Sequence, residues 1–199
     1  TGDITVAQDA SLTISPGALV KFDGGGPNCC TDALKISVEG TLDILATQQA
    51  KVIVTSIHDD TVGGDTNGNI GQTGPVPGNY QGIEYRPGSR GDLRNVEFRY
   101  GARSGPGARS GAVFVDAPQE VSIDGMSVRD LHWAAISANP GDNLIVTNFG
   151  TPQKSPVGGI ERRGGLIAGV ARWDQTGVAQ IITGDITVAQ DASLTISPG

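Results

Sequence analysis

The sequence begins and ends with the same segment. Thr1–Gly17 and Thr183–Gly199 both read TGDITVAQDASLTISPG, without a single difference. Seventeen consecutive identities do not arise by chance, so the simplest interpretation is one full period of a tandem array, 1–182, followed by the opening of the next. Such repetition favours an elongated, repetitive protein over a self-contained enzyme.

Short bursts of alternating apolar and polar residues predict β-strands almost throughout the chain. Examples are Ile4/Val6, Leu12/Ile14 and Val113/Val115, and turn sequences rich in Gly, Pro, Asn and Asp separate the bursts. This pattern is typical of strands, and only residues 129–138 leave room for a helical turn. A sandwich, a barrel or a solenoid can hold strands at this spacing, and the exact repeat favours the solenoid.

Similar phrases also recur inside the period. GALVKF begins at Gly17 and GTLDIL begins at Gly40, and a step of this size fits one coil of a three-sided parallel β-helix. We therefore expect β-helix coils over 1–149 with a long polar loop at 59–79, a connector at 150–165, and the start of the next β-helix unit at 166–199.

The two copies of the repeated segment are the expected contacts between units. Each end of a β-helix leaves backbone N–H and C=O groups unpaired, and a neighbouring copy can pair them. The apolar side chains expected to stack are Ile4, Val6, Leu12 and Ile14 in the first copy and Ile186, Val188, Leu194 and Ile196 in the second. With roughly 6–8 coils of about 4.8 Å, each copy adds on the order of 30–40 Å to a rod.

The charge of the chain limits its partners. The formal net charge of −7 disfavours nucleic acid and anionic membrane surfaces. No apolar run approaches the roughly 20 residues that cross a bilayer. The expected partners are therefore other copies of the same chain, with glycans as a further candidate, and we expect neither nucleic-acid binding nor membrane insertion.

The two cysteines, Cys29 and Cys30, are adjacent. No second pair of Cys or His lies at a spacing that would complete a zinc site. Three states remain open: free buried thiols, a vicinal disulfide, or half-bridges to neighbouring copies. The last two require an oxidising compartment.

Calcium is the one cofactor candidate. Asp65, Asn67 and Asn69 supply oxygen atoms at alternate positions, as a calcium loop does. However, Ile70 stands in place of the usual turn glycine, and Val76 stands where such a loop carries Glu. A flexible Gly/Asn turn is the alternative.

A catalytic site is not expected. His58, Asp59 and Asp60 form the nearest acidic cluster, but adjacent carboxylates in a strand point to opposite faces. Catalysis by paired carboxylates needs both on one side, about 5–9.5 Å apart. A solvated strand end is the better interpretation, and no catalytic residue is assigned.

Three stretches resemble right-handed parallel β-helix (pectin-lyase-like) repeat domains of secreted and cell-surface microbial proteins. They are Trp173–Ile196 continued by Ala18–Phe22, NYQGIEYRPGSRGDLRNVEFRYG at 79–101, and GAVFVDAPQEVSIDGMSVRDLHWAAISA at 111–138. Tyr80 stands where such a coil usually shows Trp. The resemblance implies the fold and an extracellular or cell-surface location, but it covers lyases, glycosidases, adhesins and passive stalks alike.

Together these features predict an all-β, right-handed parallel β-helix (β-solenoid) that is tandemly repeated and not an enzyme. The predicted function is a structural subunit of an extracellular filament or giant surface protein. The alternative is a carbohydrate-binding adhesin stalk that uses the 59–79 loop and exposed Tyr and Trp residues. A polysaccharide lyase or hydrolase is the least favoured hypothesis.

Overall fold

The chain is all-β in the computed structural model, which describes residues 2–24, 33–103, 110–175 and 177–198. These residues form twenty strands and no helix, and every strand pairing is parallel. The prediction of an all-β protein with parallel sheets is confirmed. Within the same ranges, no helix is long and apolar enough to cross a membrane.

The strands follow one another in coils of three, except that the fifth coil contains only β13 and β14. The first three coils contain β1 (Ile4–Val6), β2 (Ser11–Ile14), β3 (Leu19–Phe22), β4 (Lys35–Val38), β5 (Thr41–Leu45), β6 (Val52–Ser56), β7 (Gly82–Tyr85), β8 (Arg90–Arg94) and β9 (Val96–Arg99). The next two contain β10 (Val113–Val115), β11 (Glu120–Asp124), β12 (Ser127–Arg129), β13 (Ala134–Ala138) and β14 (Leu144–Thr147). The last two contain β15 (Val157–Arg162), β16 (Gly165–Ile167), β17 (Val170–Trp173), β18 (Gln180–Ile182), β19 (Ile186–Val188) and β20 (Ser193–Ile196).

The coils stack into three long sheets and two short ones. Sheet A has the order β1-β4-β7-β10-β13-β15-β18, sheet B is β2-β5-β8-β11-β14, and sheet C is β3-β6-β9-β12. Sheet D pairs β16 with β19, and sheet E pairs β17 with β20. From β1 to β12 the chain visits sheets A, B and C in turn and returns to A, and from β15 onward it visits sheets A, D and E in turn. This order is compatible with a β-solenoid.

The core consists of side chains stacked in register from coil to coil. In sheet A, Ile36 pairs with Ile83, which pairs with Val113, and the column continues through Ile136 and Ile160. All five are at most 1% exposed. Because side chains alternate between the two faces of a strand, every second residue of each sheet adds to such an interior column.

Left-handed residues form the corner between sheets B and C. Asn95 and Asn148 have φ of 49°, and Gly125 has φ of 71°, a conformation that asparagine and glycine adopt most readily. The Asn95 side-chain amide donates to the Ala46 carbonyl at 3.0 Å. A Cβ on Gly125 would lie 2.7 Å from the Asn95 Oδ1 atom, so glycine is the residue that fits there.

Coil lengths vary more than the sequence suggests. The chain returns to sheet A from Ile36 at Ile83 but from Ile160 at Gln180, so the first of these coils is more than twice as long as the second. The two similar phrases also occupy different sheets: GALVKF contains β3 of sheet C, and GTLDIL contains β5 of sheet B. Their likeness reflects alternation and glycine turns, not equivalent positions in the coil.

Three predicted ranges can be compared with the structure. No strand lies between Ser56 and Gly82, where the sequence predicts the 59–79 loop. The predicted connector at 150–165 contains β15, which pairs with β13, so sheet A continues through it. Gly159 permits the further pairing of β15 with β18, since an added Cβ would lie 2.4 Å from the Ala179 carbonyl oxygen. The range that left room for a helical turn holds β13, whose residues are all buried.

Candidate functional site: the two terminal copies

The two identical segments, called here the N-terminal copy (1–17) and the C-terminal copy (183–199), have the same local structure. Each forms a strand, a tight turn and a second strand: β1 and β2 in the first copy, β19 and β20 in the second. Asp9 and Asp191 have φ of 63° and 62°. The turn is closed by Ala10 N–H donating to Ala7 O at 3.0 Å, and by Ala192 N–H donating to Ala189 O at 3.1 Å.

The N-terminal copy is paired along one edge, with the coil that follows it. β1 pairs with β4 and β2 pairs with β5. The Val6 carbonyl accepts from Glu39 N–H at 2.8 Å, and the Ala10 carbonyl accepts from Thr41 N–H at 3.0 Å. β1 and β2 are the end strands of sheets A and B, so their other edge has no strand partner within the described ranges.

The C-terminal copy is paired along the opposite edge, with the coil that precedes it. β19 pairs with β16 and β20 pairs with β17. Here the N–H groups donate: Ala189 N–H to Ile167 O at 2.9 Å, and Ser193 N–H to Gly169 O at 3.0 Å. The same segment therefore uses one edge at one end of the molecule and the other edge at the other end.

The eight predicted stacking residues all lie in these four strands. In the first copy, Ile4, Val6, Leu12 and Ile14 stack on the buried residues Ile36, Val38, Leu42 and Ile44. In the second copy, Ile186, Val188, Leu194 and Ile196 stack on Gly165, Ile167, Ala171 and Trp173. Ile4, Val188 and Ile196 remain 48%, 44% and 57% exposed, an unusual fraction for aliphatic residues on a core-facing side.

A buried arginine lies inside the coil that supports the C-terminal copy. Arg162 continues the interior column of Val38, Tyr85, Val115 and Ala138, yet it is 0% exposed. Burial lowers its pKa to about 10, so the guanidinium keeps its charge at neutral pH.

Neutral groups hold this charge in place. Arg162 Nε donates to Gln180 Oε1 at 2.8 Å, and its other nitrogens reach the Asn139 carbonyl and Gln175 Oε1, both at 3.3 Å. The guanidinium also lies 4.8 Å from the Trp173 ring centroid. Sequence reasoning missed Arg162, because its strand was interpreted as a connector.

Glu161, the neighbour of Arg162, points to the outer side of sheet A and joins the C-terminal copy to it. Its Oε1 atom accepts from Trp133 Nε1 at 3.2 Å and from Thr183 Oγ1 at 2.9 Å. Glu161 is 0% exposed, and its Oε2 atom has no hydrogen-bond partner among the residues that the structure describes. Thr183 is the first residue of the C-terminal copy, so this contact fixes where that copy begins.

The acidic cluster at 58–60 anchors the loop and does not form an open site. Asp59 is fully buried, accepts from Thr55 Oγ1 at 2.8 Å and from Thr61 Oγ1, and lies 3.6 Å from Arg99. Burial raises its pKa, but the hydrogen bonds from Thr61 and Thr55 and the charge of Arg99 outweigh that effect, so the pKa lies below its ordinary value. His58 Nδ1 lies 3.0 Å from Asn67 Nδ2.

The candidate calcium ligands are engaged with backbone N–H groups of their own loop. The Asp65 carboxylate accepts from Gly68 N–H and Ile70 N–H, both at 2.8 Å, and the Ile70 bond is the main reason why its pKa is lowered. Asn67 Oδ1 accepts from Asn69 N–H at 3.3 Å, and Asn69 Oδ1 from Gly71 N–H at 3.0 Å. These contacts favour the Gly/Asn turn, and calcium stays a prediction.

In the described part of the chain, no group of three or more His, Cys, Asp or Glu side chains is placed to hold a metal ion. Cys29 and Cys30 lie outside the described residues, so the three cysteine states remain open.

Most of the aromatic residues considered for glycan contact are inside the protein. Tyr80 and Tyr85 are 0% exposed and donate to the carbonyls of Val54 at 2.9 Å and Leu42 at 3.1 Å. Trp173 is 2% exposed and donates to the Pro140 carbonyl at 3.0 Å. A surface of exposed rings for stacking on sugars is therefore not formed by these three residues, and the adhesin hypothesis stays a prediction.

Comparison with protein-family models, curated proteins and solved structures finds no match for this chain. The interpretation of the two ends therefore depends on their geometry alone.

Proposed function

We propose that this chain is a structural unit of an extracellular filament or giant tandem-repeat surface protein, in which right-handed parallel β-helix units stack end to end. One observation carries the proposal: two identical segments fold alike and pair through opposite edges. The N-terminal copy uses the carbonyls of Val6 and Ala10, and the C-terminal copy uses the N–H groups of Ala189 and Ser193. A segment in the middle of an array uses both sets, so neither edge is left open.

The interior side chains support the same stacking. In an array, the valine of the repeated segment lies between Ile167 and Val38, and its leucine lies between Ala171 and Leu42. The aliphatic groups that are partly exposed at the two ends are then covered on both sides. Removing such apolar surface from water is the main favourable contribution to association.

Different observations support the right-handed winding of the β-helix and the extracellular location of the protein. Crossover connections between parallel strands of one sheet are right-handed in almost all proteins, and the chain returns to sheet A through such a connection in every coil. The extracellular location is supported by the resemblance to secreted and cell-surface β-helix domains. The open cysteine states are compatible with it.

A chain of two copies, made by joining residues 1–182 to residues 1–199, tests the proposal. We expect a straight rod in electron micrographs that is longer than the single-copy particle by about 30 Å, which is about 4.8 Å for each of some six coils. Hydrogen exchange at the junction segment is expected to slow relative to either terminal copy, because both of its edges are paired.

A matched variant makes the test specific. Leu194→Lys in the junction segment places a charge in the interior and is expected to restore fast exchange there, whereas Thr195→Lys on the outer side is the control. Two globular particles joined by a bend of variable angle would contradict end-to-end stacking.

A further inference from the structure

The repeated segment begins in different places in the coil at the two ends of the chain. In the N-terminal copy, β1 belongs to sheet A, and the chain then passes to sheets B and C. In the C-terminal copy, sheet A has already been visited by β18, and β19 is the next strand along the chain. Each coil crosses three faces of the β-helix in turn, and one such crossing is called here a pass. The C-terminal copy therefore starts one pass later in the coil than the N-terminal copy.

Counting the passes gives the same offset. The described residues from β1 to β18 contain eighteen strands, and one further pass occurs where Gln153 forms an isolated bridge with Arg129 of sheet C. One period therefore takes nineteen passes. Since a coil has three passes, the period is six coils and one third, not a whole number of coils.

We infer that each copy in the array is rotated about the long axis by one face, about a third of a turn, in the direction in which the chain winds. This inference rests on the proposed function, because it assumes that the C-terminal copy continues as the next unit. Sheet A of that unit then extends sheet D, and its sheet B extends sheet E. The open edge of β18 receives β3 of the next unit, so sheet A continues into sheet C.

Chain length and side-chain pattern both support β3 as the partner of β18. Because position 183 repeats position 1, the stretch from Gln180 to Val20 of the next unit is longer than the coil from Ile160 to Gln180. The same stretch is shorter than the coil from Val113 to Ile136. Its number of residues therefore lies within the range of coil lengths seen in the second half of the chain. Val20 and Phe22 point inward, as Gln180 and Ile182 do, so the interior column continues across the junction.

The rotation decides where the long loop appears on the rod. The loop between β6 and β7 leaves the coil at the corner between sheets C and A. If each copy turns by one face, successive loops lie on successive corners, and the pattern recurs every third copy, about 90 Å along the axis at about 4.8 Å per coil. The loops are then displayed around the whole rod and not in a single row.

A chain of three or more copies, imaged by cryo-electron microscopy, tests the inference. We expect an axial rise of about 30 Å per copy and a rotation of about a third of a turn, modified only by any gradual twist of the coils. A rod with the same rise whose loops lie in a single row would overturn the rotation and leave the stacking intact. Particles without axial order would remove both proposals.

Disulfide trapping provides a second measurement in a Cys29→Ser, Cys30→Ser background. Neighbouring strands bring Cα atoms within the range that a disulfide can join. Ile181→Cys is expected to cross-link with Lys21→Cys of the next copy, and Leu166→Cys with Thr187→Cys, which already face each other in sheet D. Formation of the cross-link between Leu166→Cys and Thr187→Cys without the one between Ile181→Cys and Lys21→Cys would overturn the rotation.

Discussion

The N-terminal and C-terminal copies are one sequence in two different settings. The N-terminal copy lies on a filled apolar core, with Leu42 and Ile44 beneath it at 0% exposure. The C-terminal copy lies on a coil that contains Gly165, Ala171 and the buried Arg162. Their backbones are nevertheless alike. Local sequence thus sets the shape of the segment, and the neighbouring coil sets how firmly the segment is held.

The largest expected difference concerns the glycines beneath the two turns. A Cβ on Gly40 would lie 2.3 Å from the Ala10 carbonyl oxygen and 2.4 Å from that of Ala7. A Cβ on Gly169 would meet no atom of the described residues within 4 Å, apart from its own chain neighbours. Gly40→Ala is expected to lower the free energy of unfolding by about 3 kcal/mol, since backbone must move. Gly169→Ala is expected to be neutral or slightly stabilising. Urea unfolding of both variants measures this, and equal losses would contradict the difference in packing.

Arg162→Ala is expected to loosen the C-terminal copy and leave the N-terminal copy unchanged. The substitution removes the hydrogen bonds of the guanidinium and takes away the donor to Gln180 Oε1 and one of the two donors to Gln175 Oε1. The local opening free energy of residues 186–196 is expected to fall by about 2.5 kcal/mol. Hydrogen exchange resolved by segment measures it. Loss of protection at residues 4–14 as well would show that the two ends are not independent.

Acid is expected to weaken the loop that follows β6, which lies outside both terminal copies. The folded pKa of Asp59 lies below its ordinary value of 3.8, so its stabilisation is complete above that value and is lost as the pH falls through the folded pKa. At neutral pH, Asp59→Asn is expected to cost about 2 kcal/mol, the order of hydrogen bonds to a charged group. The cost should shrink below pH 3.8. A cost that does not change with pH would assign the effect to packing instead.

The smallest expected effect comes from one substitution made in both copies. Val6 is 5% exposed and Val188 is 44% exposed. Val6→Ala is expected to cost about 1.5 kcal/mol, and Val188→Ala less than about 0.5 kcal/mol, because less apolar surface is lost from the interior. In the two-copy chain, the same substitution at the junction is expected to cost more than either. Thermal unfolding of these variants provides the measurement.

Much of the fold was accessible from the sequence. Alternation of apolar and polar residues predicted strands such as β1 and β2, because the alternation reports directly which face is buried. The eight stacking residues were found for the same reason. β13 and β15 were missed, since Ala134–Ala138 carries no alternation and Val157–Arg162 mixes glycine with a charged residue at an interior position.

The candidate site was only partly accessible. Exact repetition identified both ends, but nothing in the sequence signals that Arg162 lies inside the coil or that Glu161 accepts a hydrogen bond from Thr183. The loop contacts of Asp59 were missed as well, because its partners Thr55 and Arg99 come from different coils.

The sequence by itself determined the strand, the turn at Asp9 and Asp191, and the inward side of every repeated aliphatic residue. These features depend on backbone preferences and on alternation within a few residues. Only the tertiary structure decided which strand lies on which, and with it the one-pass offset between the copies. Which strands pair depends on the total length of the coils between them. Single coils differ in length by more than a factor of two, and no local sequence pattern contains that total.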